Sequence, residues 1–118
     1  MALQQIDRLD ENERMAECID NCFEAAQACE WCATESIRSG DEEMTRCIEL
    51  CRDVADVTTL HARLMVRDSE YSSELAATCA DLCEACAEEC SQHEAEHCRI
   101  CADVLSACAD SCRNMASA

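Results

Sequence analysis

The stretch CADLCEACAEEC, residues 79–90, carries cysteine at positions 79, 83, 86 and 90. Steps of four, three and four return a side chain to one side of an α-helix, and nothing in the stretch breaks a helix. One helical face therefore presents a row of thiols.

The same spacing recurs along the chain. Met15, Cys18, Cys22, Ala25, Cys29, Cys32 and Ser36 advance in threes and fours, as do Met44, Cys47, Cys51, Val54, Thr58, His61 and Met65. Leu75, Cys79, Cys83, Cys86, Cys90 and His93 form a third stripe, and Cys98, Cys101, Leu105, Cys108, Cys112 and Met115 a fourth. These are the positions that hold leucine, isoleucine and valine in an ordinary bundle, and here sulfur occupies most of them. A few buried cysteines act as small hydrophobes. Fourteen in register on four helices would leave a weak core, because a thiol buries less area than leucine.

Helix punctuation sets the boundaries. Asp10 and Glu13 make an acidic capping box, so the first helix is expected over about 10–38, closed by Ser39 and a left-handed Gly40. Asp41, Glu42 and Glu43 suit the first turn of a second helix over 41–67. Asp68 or Ser69 caps a third over 70–91, and Ser91 with Glu94 forms a capping box opening a fourth over 92–116. Connections this short place successive helices antiparallel. The expected fold is all-α, one domain over residues 1–118: an antiparallel up-down-up-down four-helix bundle with a Cys-lined core.

Composition agrees with this class. The 118 residues include no proline, one glycine and 3% aromatic residues. Net charge is -17, from 26 acidic residues against nine arginines and no lysine. Such a surface repels nucleic acid and anionic membranes. It also suits a high-salt cytoplasm, where carboxylates hold hydration and screening weakens their mutual repulsion. MALQQIDRLDENER has neither the basic start nor the apolar stretch of a secretory signal, and no apolar run is long enough to span a membrane. The expected location is the cytosol. Thiols stay reduced there, so fourteen cysteines read as metal ligands rather than disulfides.

The spacing selects among metals. Zinc wants four tetrahedral ligands, commonly two C-x2-C pairs from turns, which an extended thiol column matches poorly. Iron-sulfur motifs need tight loops. Soft thiolates select Cu(I), and cysteines three or four apart stand about 5–6 Å apart at Cβ, near enough to hold one ion between them.

With the residues laid out, the chain resembles the bacterial cysteine-rich four-helix-bundle copper storage proteins of the cytosolic branch. CIELCRDVAD (47–56), LMVRDSEY (64–71), CADLCEACAEEC (79–90) and HEAEHCRICAD (93–103) carry the likeness. The resemblance implies multiple Cu(I) ions in the tube between the helices, a mouth at one end and assembly as a tetramer; separately, no nucleophile and base pairing, phosphate loop or carboxylate dyad emerges from the sequence, so no catalysis is expected. The resemblance departs at Ala25, Ser36, Val54, Thr58 and Leu105, where such proteins tend to carry more cysteine, so fewer sites are expected.

Ala25, Val54 and Leu105 sit midway along their helices and converge in an antiparallel bundle. They are expected to form an apolar plug between two clusters. One gathers Cys29, Cys32, Cys47, Cys51, Cys86, Cys90, Cys98 and Cys101, the other Cys18, Cys22, Cys79, Cys83, Cys108 and Cys112. His93, His97 and Met44 fall at one end as candidate mouth ligands. Met15, Met65, Met115 and His61 fall at the other. Storage of Cu(I) is the expected function. The alternatives are a disulfide-clamped interaction scaffold and a carrier handing copper to a chaperone.

Overall fold

The computed structural model describes residues 2–116, with side chains from Glu11 onward. Four helices account for nearly all of them: α1 (Ala2–Ser39), α2 (Thr45–Val66), α3 (Ser72–Ser91) and α4 (Glu96–Ala116). A single 3-10 turn, Glu42–Met44, precedes α2.

The helices form a closed square. Each packs on its two neighbours in sequence, and α4 returns to α1. Cys32 meets Cys47, Cys47 meets Cys90, and Cys79 meets Cys112, so every sequential pair runs antiparallel. Cys18 beside Cys112 and Cys32 beside Cys98 give the same sense between α1 and α4. The up-down-up-down bundle follows.

The ends differ from the sequence expectation wherever a polar side chain finds another use. The first helix continues to Ala2, so Asp10 lies inside it rather than at its cap; the Asp10 side chain is outside the described residues. Gly40 takes φ +69° and ends α1 as expected. Asp41 caps the 3-10 turn instead of α2, accepting from the Glu43 amide at 2.9 Å, which delays α2 to Thr45. Asp68 adopts φ +54° and turns the chain toward α3. Aspartate tolerates that conformation better than most residues. Ser69 accepts from the Tyr71 amide in the turn, and α3 begins at Ser72 rather than near 70.

The Ser91–Glu94 capping box does not form. Ser91 is the last residue of α3 and donates its hydroxyl to the Glu88 carbonyl at 2.7 Å, so α4 starts at Glu96 instead of 92. His93 thereby leaves the helical stripe and lies in the connecting turn.

The core is built from small atoms. All fourteen cysteines are fully buried, with Ala25, Val54, Ala62, Ala76, Ala80 and Leu105 among them. Larger apolar side chains such as Ile19, Ile48, Leu50, Val57, Leu82 and Val104 flank this column and pack against it half-buried. Phe23, Trp31, Leu60 and Ile100, large apolar residues beside the cysteine stripes, are 42% to 46% exposed. Their contribution to the bundle's interior is correspondingly reduced. Among the described residues, no helix is long and apolar enough to cross a membrane.

Candidate metal centre

Helical spacing delivers each thiol to the bundle axis, and antiparallel packing then decides which thiols meet. At the end formed by the start of α2 and the end of α3, Cys29 lies 3.7 Å from Cys101, Cys51 3.6 Å from Cys86, and Cys47 3.7 Å from Cys90, sulfur to sulfur. Cys32 joins Cys47 at 4.0 Å and Cys98 at 3.9 Å. Eight thiols make one connected network.

At the other end Cys112 is the hub. It contacts Cys18 at 3.8 Å, Cys22 at 3.8 Å, Cys79 at 3.4 Å and Cys108 at 3.9 Å. Cys83 interacts with Cys79 and Cys108. Six thiols make the second network. Every close sulfur pair falls within one network or the other, and the four-thiol groupings Cys32–Cys51–Cys90–Cys101 and Cys22–Cys79–Cys108–Cys112 lie one in each. Ala25, Val54 and Leu105, all fully buried, fall between members of the two networks along α1, α2 and α4. Buried Thr58 turns its hydroxyl onto the Val54 carbonyl at 2.6 Å and offers no free donor.

All fourteen cysteines are free. Most touch more than one other sulfur, so the arrangement is a mesh rather than a set of pairs.

The mesh splits the acidities of its members. Hydrogen bonds from Cys112 and Cys22 hold Cys18 down to about 3, and those from Cys101, Cys47 and Cys51 hold Cys32 at about 3. Cys112 and Cys22 likewise lower Cys108 to about 5. Cys22, Cys51, Cys83, Cys101 and Cys112 are pushed the other way, chiefly by hydrogen bonding to their sulfur neighbours and then by burial. Burial comes first for Cys98 and raises it too. Within one buried mesh, hydrogen bonding thus favours the thiolate form at some sulfurs and the thiol form at others.

The histidines part company. His97 sends Nδ1 to within 3.3 Å of the Cys32 sulfur and 3.5 Å of the Cys98 sulfur, and Trp31 stands edge-on to its ring at 6.0 Å. His93 instead pairs with Glu89 at 2.7 Å, near Arg46, and does not approach the thiols. Met44 is buried in the core at the same end. His61 is fully buried in the six-thiol network, with Nδ1 3.5 Å from the Cys22 sulfur and 3.6 Å from that of Cys112. Met65 is buried near it, while Met15 and Met115 pack half-buried against the core.

Two features escape the stripe reading. Trp31 lies one residue outside the seam, and only the fold sets it against His97. The Glu89–His93 pair had a visible signal, an acid four residues before a histidine.

Fold and site together define a four-helix bundle whose inner seam is thiol where others have hydrocarbon. The sequence profile described as Csp, copper storage protein, matches residues 11–117. The chain belongs to the copper storage protein family.

It is 40% identical over 101 residues, 85% of this chain and 94% of the relative, to the uncharacterized cysteine-rich protein YhjQ of Bacillus subtilis. The Cu(I)-bound copper storage protein BsCsp3 superposes with a TM-score of 0.84 at 38% identity, covering 87% of this chain and 98% of that one. A cytosolic copper storage protein from Streptomyces lividans, loaded with five coppers, gives 0.83 at 34% identity over 90% and 94% of the two chains.

Proposed function

We propose that this protein stores Cu(I) in the cytosol, holding many ions in two thiolate clusters separated by the plug of Ala25, Val54 and Leu105. The observation that carries the reading is the presence of fourteen buried, free thiols in two continuous networks. The copper-bound Bacillus and Streptomyces relatives support the choice of ion. No catalytic step is required of it.

Chemically, each incoming Cu(I) is bound by sulfur and releases thiol protons. Cation and lost protons nearly balance, so the interior gains little net charge in a low-dielectric setting. If each thiolate bridges two ions and each ion uses two thiolates, capacity is about one ion per cysteine, or about fourteen. His97 is suited to receive an ion at one end and pass it to Cys32 and Cys98, which its Nδ1 already touches. His93, held by Glu89, stands aside from that step. His61 with Met15, Met65 and Met115 would serve the other end.

The remaining parts of the reading are a cytosolic location, a homo-oligomer with tetramer as the size implied by resemblance, exchange with a copper chaperone, and a surface adapted to high salt. Anaerobic titration with Cu(I), followed by mass spectrometry of the intact chain, tests the storage role. Uptake far beyond four ions is the expected result. Saturation at one or two ions would indicate a carrier, and protein isolated without free thiols would indicate the disulfide scaffold.

A further inference from the structure

The six-thiol network contains one donor that is not sulfur. His61 is fully buried, its Nδ1 faces the Cys22 and Cys112 sulfurs, and its Nε2 has no partner. Nδ1 is therefore the ring nitrogen turned toward the sulfurs.

With Cys18, Cys22 and Cys112, His61 completes a group whose ligand atoms all lie within 4.8 Å of one another. Zinc bonds sulfur at about 2.3 Å and imidazole nitrogen at about 2.0–2.1 Å, so a tetrahedral ion requires edges of about 3.8 Å between sulfurs and about 3.6 Å between sulfur and nitrogen. Cys18–Cys112 and Cys22–Cys112 both measure 3.8 Å. His61 lies 3.5 Å from Cys22 and 3.6 Å from Cys112. Four edges of the required tetrahedron are in place before any ion arrives.

We infer that Cys18, Cys22, His61 and Cys112 form a Cys3His site for one divalent tetrahedral ion of the zinc class, distinct in chemistry from the all-thiol sites. The linear column alone hides this site, because its four ligands come from three helices, α1, α2 and α4. Imidazole is a harder donor than thiolate and suits a divalent ion better than it suits Cu(I). Charge favours the same choice. The neighbouring Cys22–Cys79–Cys108–Cys112 group would hold zinc with two net negative charges, whereas the histidine site leaves one, and the interior penalises the larger charge more. The bound ion would clasp three helices at this end while the protein waits for copper, and Cu(I) arriving in excess would compete for Cys18, Cys22 and Cys112.

The test is titration of the reduced, metal-free protein with Zn(II) against a chromophoric chelator, with Co(II) as the spectroscopic stand-in. One tight ion per chain is expected, and the cobalt form should show the intense visible bands of a tetrahedral centre with thiolate charge transfer. His61→Gln and Cys18→Ser should each weaken that ion by more than about 100-fold, since even outer partners of a metal site are worth about 10–100-fold. Cys79→Ser, whose sulfur lies outside the tetrahedron but contacts Cys112 at 3.4 Å, should retain the ion with no more than the loss of an outer partner, about 10–100-fold. Circular dichroism shows which variants fold, and Cys18→Ser answers if His61→Gln does not. The inference fails if no tight ion binds, if cobalt is octahedral, or if Cys79→Ser loses the ion while Cys18→Ser retains it. Cu(I) capacity of the wild-type chain is measured separately, so failure here leaves storage untouched.

Discussion

His97 is half-buried and touches both Cys32 and Cys98, which suits it to the proposed role of passing an ion inward. His97→Ala should slow Cu(I) uptake severalfold in stopped-flow measurements while leaving final capacity nearly intact, and His93→Ala should do neither. Equal effects from both would contradict the separation the structure makes. At the other end, burial is the largest influence on His61 and disfavours its charge, yet the hydrogen bond and charge of Cys79, with Cys18 and Cys108, raise its pKa overall. A raised folded value means that His61 stabilises the metal-free protein fully below about pH 6.5, the unfolded value, and that this contribution fades as pH rises through the folded one. Proton NMR of the apo chain should place the His61 midpoint above 6.5; a midpoint below it would mean that burial wins.

At the scale of the helices, the seam was legible because thiols repeat in threes and fours with no proline to interrupt them. The two networks were legible too, since the missing cysteines at Ala25, Val54 and Leu105 fall at one level once the helices alternate in direction. Helix starts were not. Asp10, Asp41 and Ser91 all resemble caps locally, but α1 runs on past the first, the second serves a 3-10 turn, and the third bonds back to Glu88. A capping residue shows that a helix can start, and competition among nearby carbonyls and amides decides whether it does. The contact of His61 with Cys22 crosses between helices 39 positions apart, so no local pattern carried it. Leu105 is the largest apolar side chain of the plug, and Leu105→Ala should destabilise the apo bundle by about 2–5 kcal/mol in chemical denaturation. Leu105→Cys should add capacity for Cu(I) and let the networks communicate, seen as a higher stoichiometry in titration. Unchanged stoichiometry would count against the plug.

The molecule as a whole carries -17 charges on a bundle of 118 residues, with no lysine. Among the described residues few ion pairs offset them: Arg113 bridges α4 to Asp81 and Glu84 of α3 at 2.7 and 2.8 Å, and Arg46 reaches Glu89 from α2 at 3.5 Å. Exposed pairs of this kind contribute little. Repulsion across the surface extends about 30 Å at 0.01 M salt and about 3 Å at 1 M, so added salt should raise the apo unfolding temperature by several degrees. A flat response to salt would refute the high-salt adaptation.

Copper is proposed to reside in the thiol interior, divided at Ala25, Val54 and Leu105. Anomalous diffraction at the copper edge from a fully loaded crystal tests it most directly. About fourteen peaks should lie on the bundle axis in two groups, with a copper-free gap at the level of Leu105. Peaks scattered over surface carboxylates, or an even column running through that gap, would contradict the account.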